Sequence, residues 1–145
     1  MNIYALSIGI LTALITIKLF NGGKATNIQA LYALYLASFP FYYWLFAVYG
    51  SSSTVLFKEI LAGLPFMMLA GFCFKMNSKD YPLLLASGYI LHAIYDFSHS
   101  DIFVNQGVPT WWPEFCGVIN LILGVYIATF IFARSSRQTL NSESA

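Results

Sequence analysis

Long apolar stretches separated by short polar turns make up most of this chain. A helix needs about 20 apolar residues to cross a bilayer. Stretches of about that length cover residues 3–20, 27–49, 54–74, 81–99 and 113–133. The breaks between them carry Gly, Ser, Asn or Pro, residues that are typical of turns. The pattern predicts an all-α integral membrane bundle of five transmembrane helices. It forms a single transmembrane domain over residues 1–145, in which residues 134–145 are a short cytoplasmic tail.

The third apolar stretch is the least typical of a membrane span, because Lys58 and Glu59 lie near its start. An alternative architecture therefore has four spans and one segment that lies at the membrane interface.

The composition agrees with a membrane protein. Hydrophobic residues make up 59% of the chain and charged residues only 9%, whereas about 25% of the residues in a soluble domain are charged. The net charge is +1 and the chain has no basic run, which argues against binding to nucleic acid. The predicted partner is the lipid bilayer. A chain this short is also compatible with a homo-oligomer or with a partner membrane protein.

The basic residues predict an orientation. They flank the first and third loops and follow the last helix, at Lys18, Lys24, Lys75, Lys79, Arg134 and Arg137. Because cytoplasmic loops carry an excess of Lys and Arg, the N-terminus is predicted outside and the C-terminus in the cytoplasm of a multi-pass cell-membrane protein. Several aromatic residues fall at the outer ends of the spans and predict an interfacial belt, namely Trp44, Trp111, Trp112, Tyr42, Tyr43 and Tyr49.

Polar residues in the fourth stretch recur at helical spacing. One stripe of that helix carries Gly88, His92, Tyr95, Asp96 and His99. An ionisable residue at the centre of a membrane helix costs about 2.5–3.5 kcal/mol on insertion scales. The three ionisable members of this stripe are therefore expected to face protein or a wet cavity rather than lipid.

Two other helices offer polar partners for this stripe. Glu59 lies on the third helix, and Glu114 and Asn120 share a face of the fifth. In the predicted orientation the acids and histidines lie in the outer half, so we expect a site that opens outward. Its candidate ligand-binding residues are Glu59, His92, Tyr95, Asp96, His99, Glu114 and Asn120.

Three functions fit this set of residues. The site can bind a small polar ligand or a lipid head group, or handle protons, since histidine titrates near neutral pH. It can instead hold zinc or another divalent metal in a membrane hydrolase, with candidate ligands His92, Asp96, His99 and Glu114. Since His92 and His99 lie far apart along the helix, the favoured metal subsets are Asp96 and His99 with Glu114, or His92 and Asp96 with Glu59. In the third alternative, a structural or accessory subunit, the polar residues only join helices.

One part of the chain resembles a known family. It reads Gly-Tyr-x-x-His-x-x-x-Asp-x-x-His from Gly88, Val-Pro-x-Trp-Trp-Pro-x-Phe-Cys-Gly from Val108, and Asn-x-x-x-Gly-x-Tyr from Asn120. These motifs resemble a family of small, uncharacterised multi-spanning bacterial membrane proteins, so the resemblance implies no activity. The tryptophan-rich sensory proteins have a similar length, but their Trp-x-Pro-Pro pattern is absent from this sequence.

Overall fold

The computed structural model describes residues 2–22, 27–50, 53–76, 81–102 and 104–133. These residues form five α-helices and no strand. The helices are α1 (Ile3–Gly22), α2 (Ile28–Tyr49), α3 (Ser53–Lys75), α4 (Tyr81–Ile102) and α5 (Trp112–Tyr126), and a π-helical segment (Ile127–Ile131) continues α5. Each helix matches a stretch predicted from the apolar pattern, so the all-α fold is confirmed.

Side chains before the helices satisfy N–H groups in the first turns, which have no partner within a helix. The Asn2 side-chain oxygen accepts hydrogen bonds from the N–H groups of Tyr4 and Ala5, each at 3.1 Å. The Asn27 side chain caps α2 by accepting from the Ala30 N–H at 2.9 Å. Asparagine is among the preferred residues at this position, so these two caps help to fix where α1 and α2 begin.

Contacts at the two ends of the bundle show that α1 and α5 start at the same end and that α2 and α3 run in opposite directions. At one end, the Asn2 N–H at the start of α1 donates to Glu114 Oε1 at the start of α5, at 3.3 Å. At the other end, Gln29 Nε2 at the start of α2 donates to the carbonyl oxygen of Cys73 in the last turn of α3 and to that of Met76, which follows α3. We call the first the Asn105 end, after a residue in the loop that follows α4, and the second the Gln29 end.

Helix α4 lies against three other helices along its length. It packs most extensively on α5 and also contacts α3 and α2. Gly88 lets α4 approach both α2 and α3, because a Cβ there would lie 2.8 Å from Leu36 Cδ2 and 2.7 Å from Leu69 Cδ2. The polar stripe of α4 is therefore enclosed by neighbouring helices.

The burial pattern differs from that of a soluble protein, because acids and histidines are buried within the apolar core while large apolar side chains cover the surface. Fully or nearly fully buried side chains include Glu59, His92, Asp96, His99 and Asn120. Large apolar side chains point outward on every helix, among them Leu11, Leu45, Met68, Leu91 and Phe130. Within the described ranges, four helical segments are long and apolar enough to cross a membrane, namely Ile3–Gly22, Ile28–Tyr49, Ser53–Lys75 and Trp112–Ile131.

Candidate functional site

Asp96 is the centre of the first of two buried hydrogen-bonded clusters. Its Oδ1 accepts from the Tyr43 hydroxyl of α2 at 2.8 Å. Its Oδ2 accepts from Asn120 Nδ2 of α5 at 3.0 Å and lies 3.1 Å from His92 Nδ1, one turn earlier on α4. Both Asp96 and His92 are 0% exposed. The spacing of four residues on one helix brings the imidazole and the carboxylate together, and α2 and α5 supply the other two donors.

Glu59 of α3 is the centre of the second cluster. Its Oε2 accepts from the Tyr95 hydroxyl at 2.6 Å. Its Oε1 lies 2.8 Å from His99 Nε2 and accepts from Asn105 Nδ2, also at 2.8 Å. Tyr95 and His99 are four residues apart on α4, and Asn105 belongs to the loop that follows α4. Three side chains, from α4 and from the loop that follows it, thus converge on one carboxylate that is 1% exposed.

Tyr43 joins the two clusters. Its hydroxyl binds Asp96, while its ring stacks on the His99 imidazole with centroids 4.4 Å apart and planes inclined by 22°. Its main-chain carbonyl also accepts from Asn105 Nδ2 at 3.3 Å. One residue of α2 therefore contacts the histidine of one cluster and the acid of the other.

Neither buried acid is compensated by Lys or Arg among the contacts that the described residues make. Glu59 is paired with His99, and Asp96 with His92. A buried charge is costly unless it is paired and hydrogen-bonded. The imidazoles and the surrounding O–H and N–H donors provide that compensation here.

The loop after α4 is fixed against the end of α2. Asn105 Oδ1 accepts from the Gly107 N–H at 3.1 Å, and the Val108 N–H donates to the Asn105 carbonyl at 3.1 Å. A Cβ on Gly107 would overlap the Phe46 carbonyl oxygen. The close approach of the two main chains therefore requires glycine at this position and holds Asn105 in reach of Glu59.

A cavity of about 470 Å³ opens beside this second cluster at the Asn105 end. Its lining comprises Leu6, Phe97, His99, Ser100, Val104, Asn105, Val108, Pro109, Thr110, Pro113 and Glu114. His99 and Asn105 thus line the cavity and also hold the buried Glu59 carboxylate. Among the residues that the structure describes, the lining contains a carboxylate, an imidazole, an amide and two hydroxyls, and neither Lys nor Arg.

Two polar atoms of the first cluster have no hydrogen-bond partner among the described residues. They are His92 Nε2 and Asn120 Oδ1, and both are buried. Nearly all buried polar atoms in proteins are hydrogen-bonded, so each exception calls for an explanation such as a bound molecule.

The structure divides the predicted site into separate parts. It joins His92, Asp96 and Asn120 in one cluster and Glu59, Tyr95 and His99 in the other. The expectation that the stripe of α4 faces protein is confirmed by the burial of its histidines and Asp96.

Glu114 belongs to neither cluster. It lies in the first turn of α5, lines the cavity and accepts from the Asn2 N–H. It shares the cavity lining with His99, whereas the Asp96 carboxylate is turned toward Tyr43, His92 and Asn120.

The predicted metal subsets are not assembled. Glu59 is hydrogen-bonded to His99 and Tyr95 rather than to His92 or Asp96. Within the described part of the chain, no three His, Cys, Asp or Glu side chains are grouped so that they could hold a metal ion.

Two members of the clusters were not predicted as site residues. The prediction that Tyr43 belongs to an interfacial belt is wrong, because its side chain is only 1% exposed and its hydroxyl donates to Asp96. Asn105 lies in a loop without a helical period. The sequence contains one signal for Asn105, because Gly107 and Pro109 follow it and restrict the path of the loop.

Comparison with models of protein families, with curated proteins and with solved structures found no match.

Proposed function

We propose that this chain is a multi-pass membrane protein whose five helices all cross the bilayer. The exposure of large apolar side chains and the burial of the charged ones support this placement. Outward-facing Leu45, Met68 and Phe130 are 63%, 72% and 66% exposed, whereas Glu59, His92 and Asp96 are at most 1% exposed. Lipid is the solvent that stabilises such an arrangement, because apolar side chains have no cost there and charged ones must be enclosed.

The fourth helix is the one whose crossing is least evident from hydropathy. Its 22 residues give a length of about 33 Å, enough for the hydrocarbon core. It contacts α2 at two separate points along its length. Gly88 lies opposite Leu36, and His99 lies opposite Tyr43. Helix α4 therefore runs alongside a helix that is apolar enough to cross the membrane. Its low hydropathy follows from the polar stripe, which other helices cover.

The distribution of Lys and Arg supports an N-terminus outside and a C-terminus in the cytoplasm. Lys18 and Lys75 lie near the Gln29 end of α1 and α3. In the sequence, Lys24, Lys79, Arg134 and Arg137 follow the first, third and fifth helices. By the positive-inside rule, the Gln29 end is cytoplasmic and the Asn105 end faces outward.

We infer that the cavity at the Asn105 end binds a small polar ligand that is neutral or cationic, either a free molecule or a lipid head group. The observation that carries this inference is that His99 and Asn105 line the cavity while both are hydrogen-bonded to buried Glu59. Their side chains are thereby held rigidly, as a preorganised site requires. The lack of Lys and Arg in the lining disfavours an anion. The metal-dependent hydrolase would need a third ligand at either pair, and the described residues supply none.

Thermal unfolding of the purified protein with defined probes tests this function. Ethanolamine, which is cationic and bears a hydroxyl, should raise the unfolding temperature in a saturable way, whereas inorganic phosphate should not. A ligand at ten times its Kd stabilises a protein by about 1.4 kcal/mol.

Thr110→Val removes a lining hydroxyl and should weaken the ethanolamine effect. Thr54→Val makes the same change outside the cavity lining and should leave it intact. Stabilisation by phosphate instead of ethanolamine, or equal responses of the two variants, would contradict the proposal.

A further inference from the structure

A second cavity lies on the lipid-facing side of the protein, between α3 and α4. It is an apolar groove of about 350 Å³ whose lining includes Pro65, Phe66, Leu91, Ile94 and Tyr95. Leu91 and Ile94 are 53% and 56% exposed, so the groove is open at the surface that we place in lipid. It shares no lining residue with the cavity at the Asn105 end.

Two residues of this groove also cover His92. Phe66 packs its ring against the imidazole with centroids 4.7 Å apart and planes inclined by 64°. The Tyr95 ring lies 5.8 Å from the same imidazole. Between the groove and the buried histidine there is thus a wall of two aromatic rings. The Tyr95 ring is held in place by the hydrogen bond from its hydroxyl to Glu59. The Phe66 side chain has no polar group and cannot form such a bond.

The His92 imidazole that these two rings cover has an unused hydrogen-bonding atom. Its Nδ1 faces Asp96 Oδ2 at 3.1 Å, while its Nε2 is buried and has no partner among the residues that the structure describes. Nε2 accepts a hydrogen bond in the neutral imidazole with a protonated Nδ1 and donates one in the charged imidazole. A hydroxyl group fits both states, because it can donate and accept.

We propose that the groove between α3 and α4 admits a membrane-dissolved apolar molecule carrying one hydroxyl group, which hydrogen-bonds to His92 Nε2 when Phe66 turns aside. The apolar body of the ligand lies in the groove against Leu91 and Ile94. Asp96 orients the imidazole by binding its other nitrogen, so that Nε2 is directed to the ligand. This inference rests on the proposed membrane placement and is independent of the ligand at the Asn105 end.

Equilibrium binding to the purified protein in lipid nanodiscs tests the site. The probes are radiolabelled 4-decylphenol and decylbenzene, which share a ring and chain and differ by the hydroxyl. The phenol should bind at least about fivefold more tightly, the order of one net hydrogen bond. Equal affinities, or no saturable binding of the phenol, would overturn the proposal.

His92→Asn isolates the role of Nε2. The shorter amide retains a donor near the position of Nδ1, for Asp96, and leaves nothing at the position of Nε2. In this variant the phenol should bind no better than decylbenzene. Leu91→Ala is the matched control, since it shortens a groove side chain on the same helix. It can weaken both probes, but the ratio of their affinities should stay at the wild-type value. An unchanged ratio in His92→Asn means that Nε2 is not the anchor.

Phe66→Ala provides a second measurement that changes no polar side chain of either cluster. Removing the covering ring should accelerate phenol association several-fold, and Phe66→Trp should slow it. If neither variant changes the association rate, Phe66 is not the gate and the proposed route is wrong. Failure of ethanolamine to stabilise the protein would leave this result unaffected, so the two proposals can fail separately.

Discussion

At the scale of single residues, each buried acid is surrounded by groups that can donate a hydrogen bond to it. Asp96 receives a tyrosine hydroxyl, an asparagine amide and an imidazole. Glu59 receives the same three kinds of group. The repeated set explains how two carboxylates can be buried without Lys or Arg, because every carboxylate oxygen has at least one donor within 3.1 Å.

Tyr43→Phe tests the hydrogen bond that joins α2 to Asp96. The change removes the hydroxyl 2.8 Å from Asp96 Oδ1 and keeps the ring that stacks on His99. We expect the free energy of unfolding in detergent micelles to fall by about 1.5–3 kcal/mol, the range for a hydrogen bond to a charged group. Tyr42→Phe makes the same change at a side chain that is 42% exposed and should have little effect. Equal effects of the two variants would show that the hydroxyl of Tyr43 does not stabilise the protein.

The residue pairs show which part of the site could be predicted. His92 and Asp96 meet because they are four residues apart on one helix, a local relation that the sequence contains. The pairing of Glu59 with His99 depends on how far α3 is shifted along α4, which no spacing within one helix determines. Tyr43 and Asn105 were missed for the same reason, since their partners lie on other segments.

At the scale of elements, the apolar stretches predicted the helices closely. The predicted stretch 27–49 became Ile28–Tyr49, and 54–74 became Ser53–Lys75. Helix α4 continues three residues beyond the predicted residue 99, to Ile102. Its extra turn is polar and therefore could not be recognised from hydropathy.

Gly63→Ala tests the close approach of α2 and α3. A Cβ at this position would lie 2.7 Å from Pro40 Cβ and 3.1 Å from Trp44 Nε1. We expect a loss of about 1–3 kcal/mol in unfolding free energy, the cost of overpacking. Gly71→Ala on the same helix is the control, because nothing lies within 4 Å of its Cβ position. It should be neutral or stabilising, since alanine favours helix. A stable Gly63→Ala variant would show that the two helices can separate without cost.

At the scale of the whole molecule, both buried clusters and both cavities include residues of one helix, α4. Helix α4 contributes His92, Tyr95, Asp96 and His99 to the clusters and lines both cavities. Composition alone predicted a membrane protein, because so few charges cannot cover a surface in water. It could not decide whether α4 crosses the bilayer, since a polar stripe lowers the hydropathy of a crossing helix and of an interfacial one alike.

The most direct test of the account is to label cysteines on either side of α4 with a membrane-impermeant thiol reagent. Gln106 follows α4 in the chain and Lys75 precedes it, and both side chains are exposed. The two variants are Gln106→Cys and Lys75→Cys. Each is introduced with Cys73 and Cys116 replaced by alanine. We predict that the cysteine at position 106 reacts in intact cells and that the one at position 75 reacts only after the membrane is opened. Labelling of both positions from the same side would show that α4 does not cross, and would contradict the five-helix account and its outward-facing cavity.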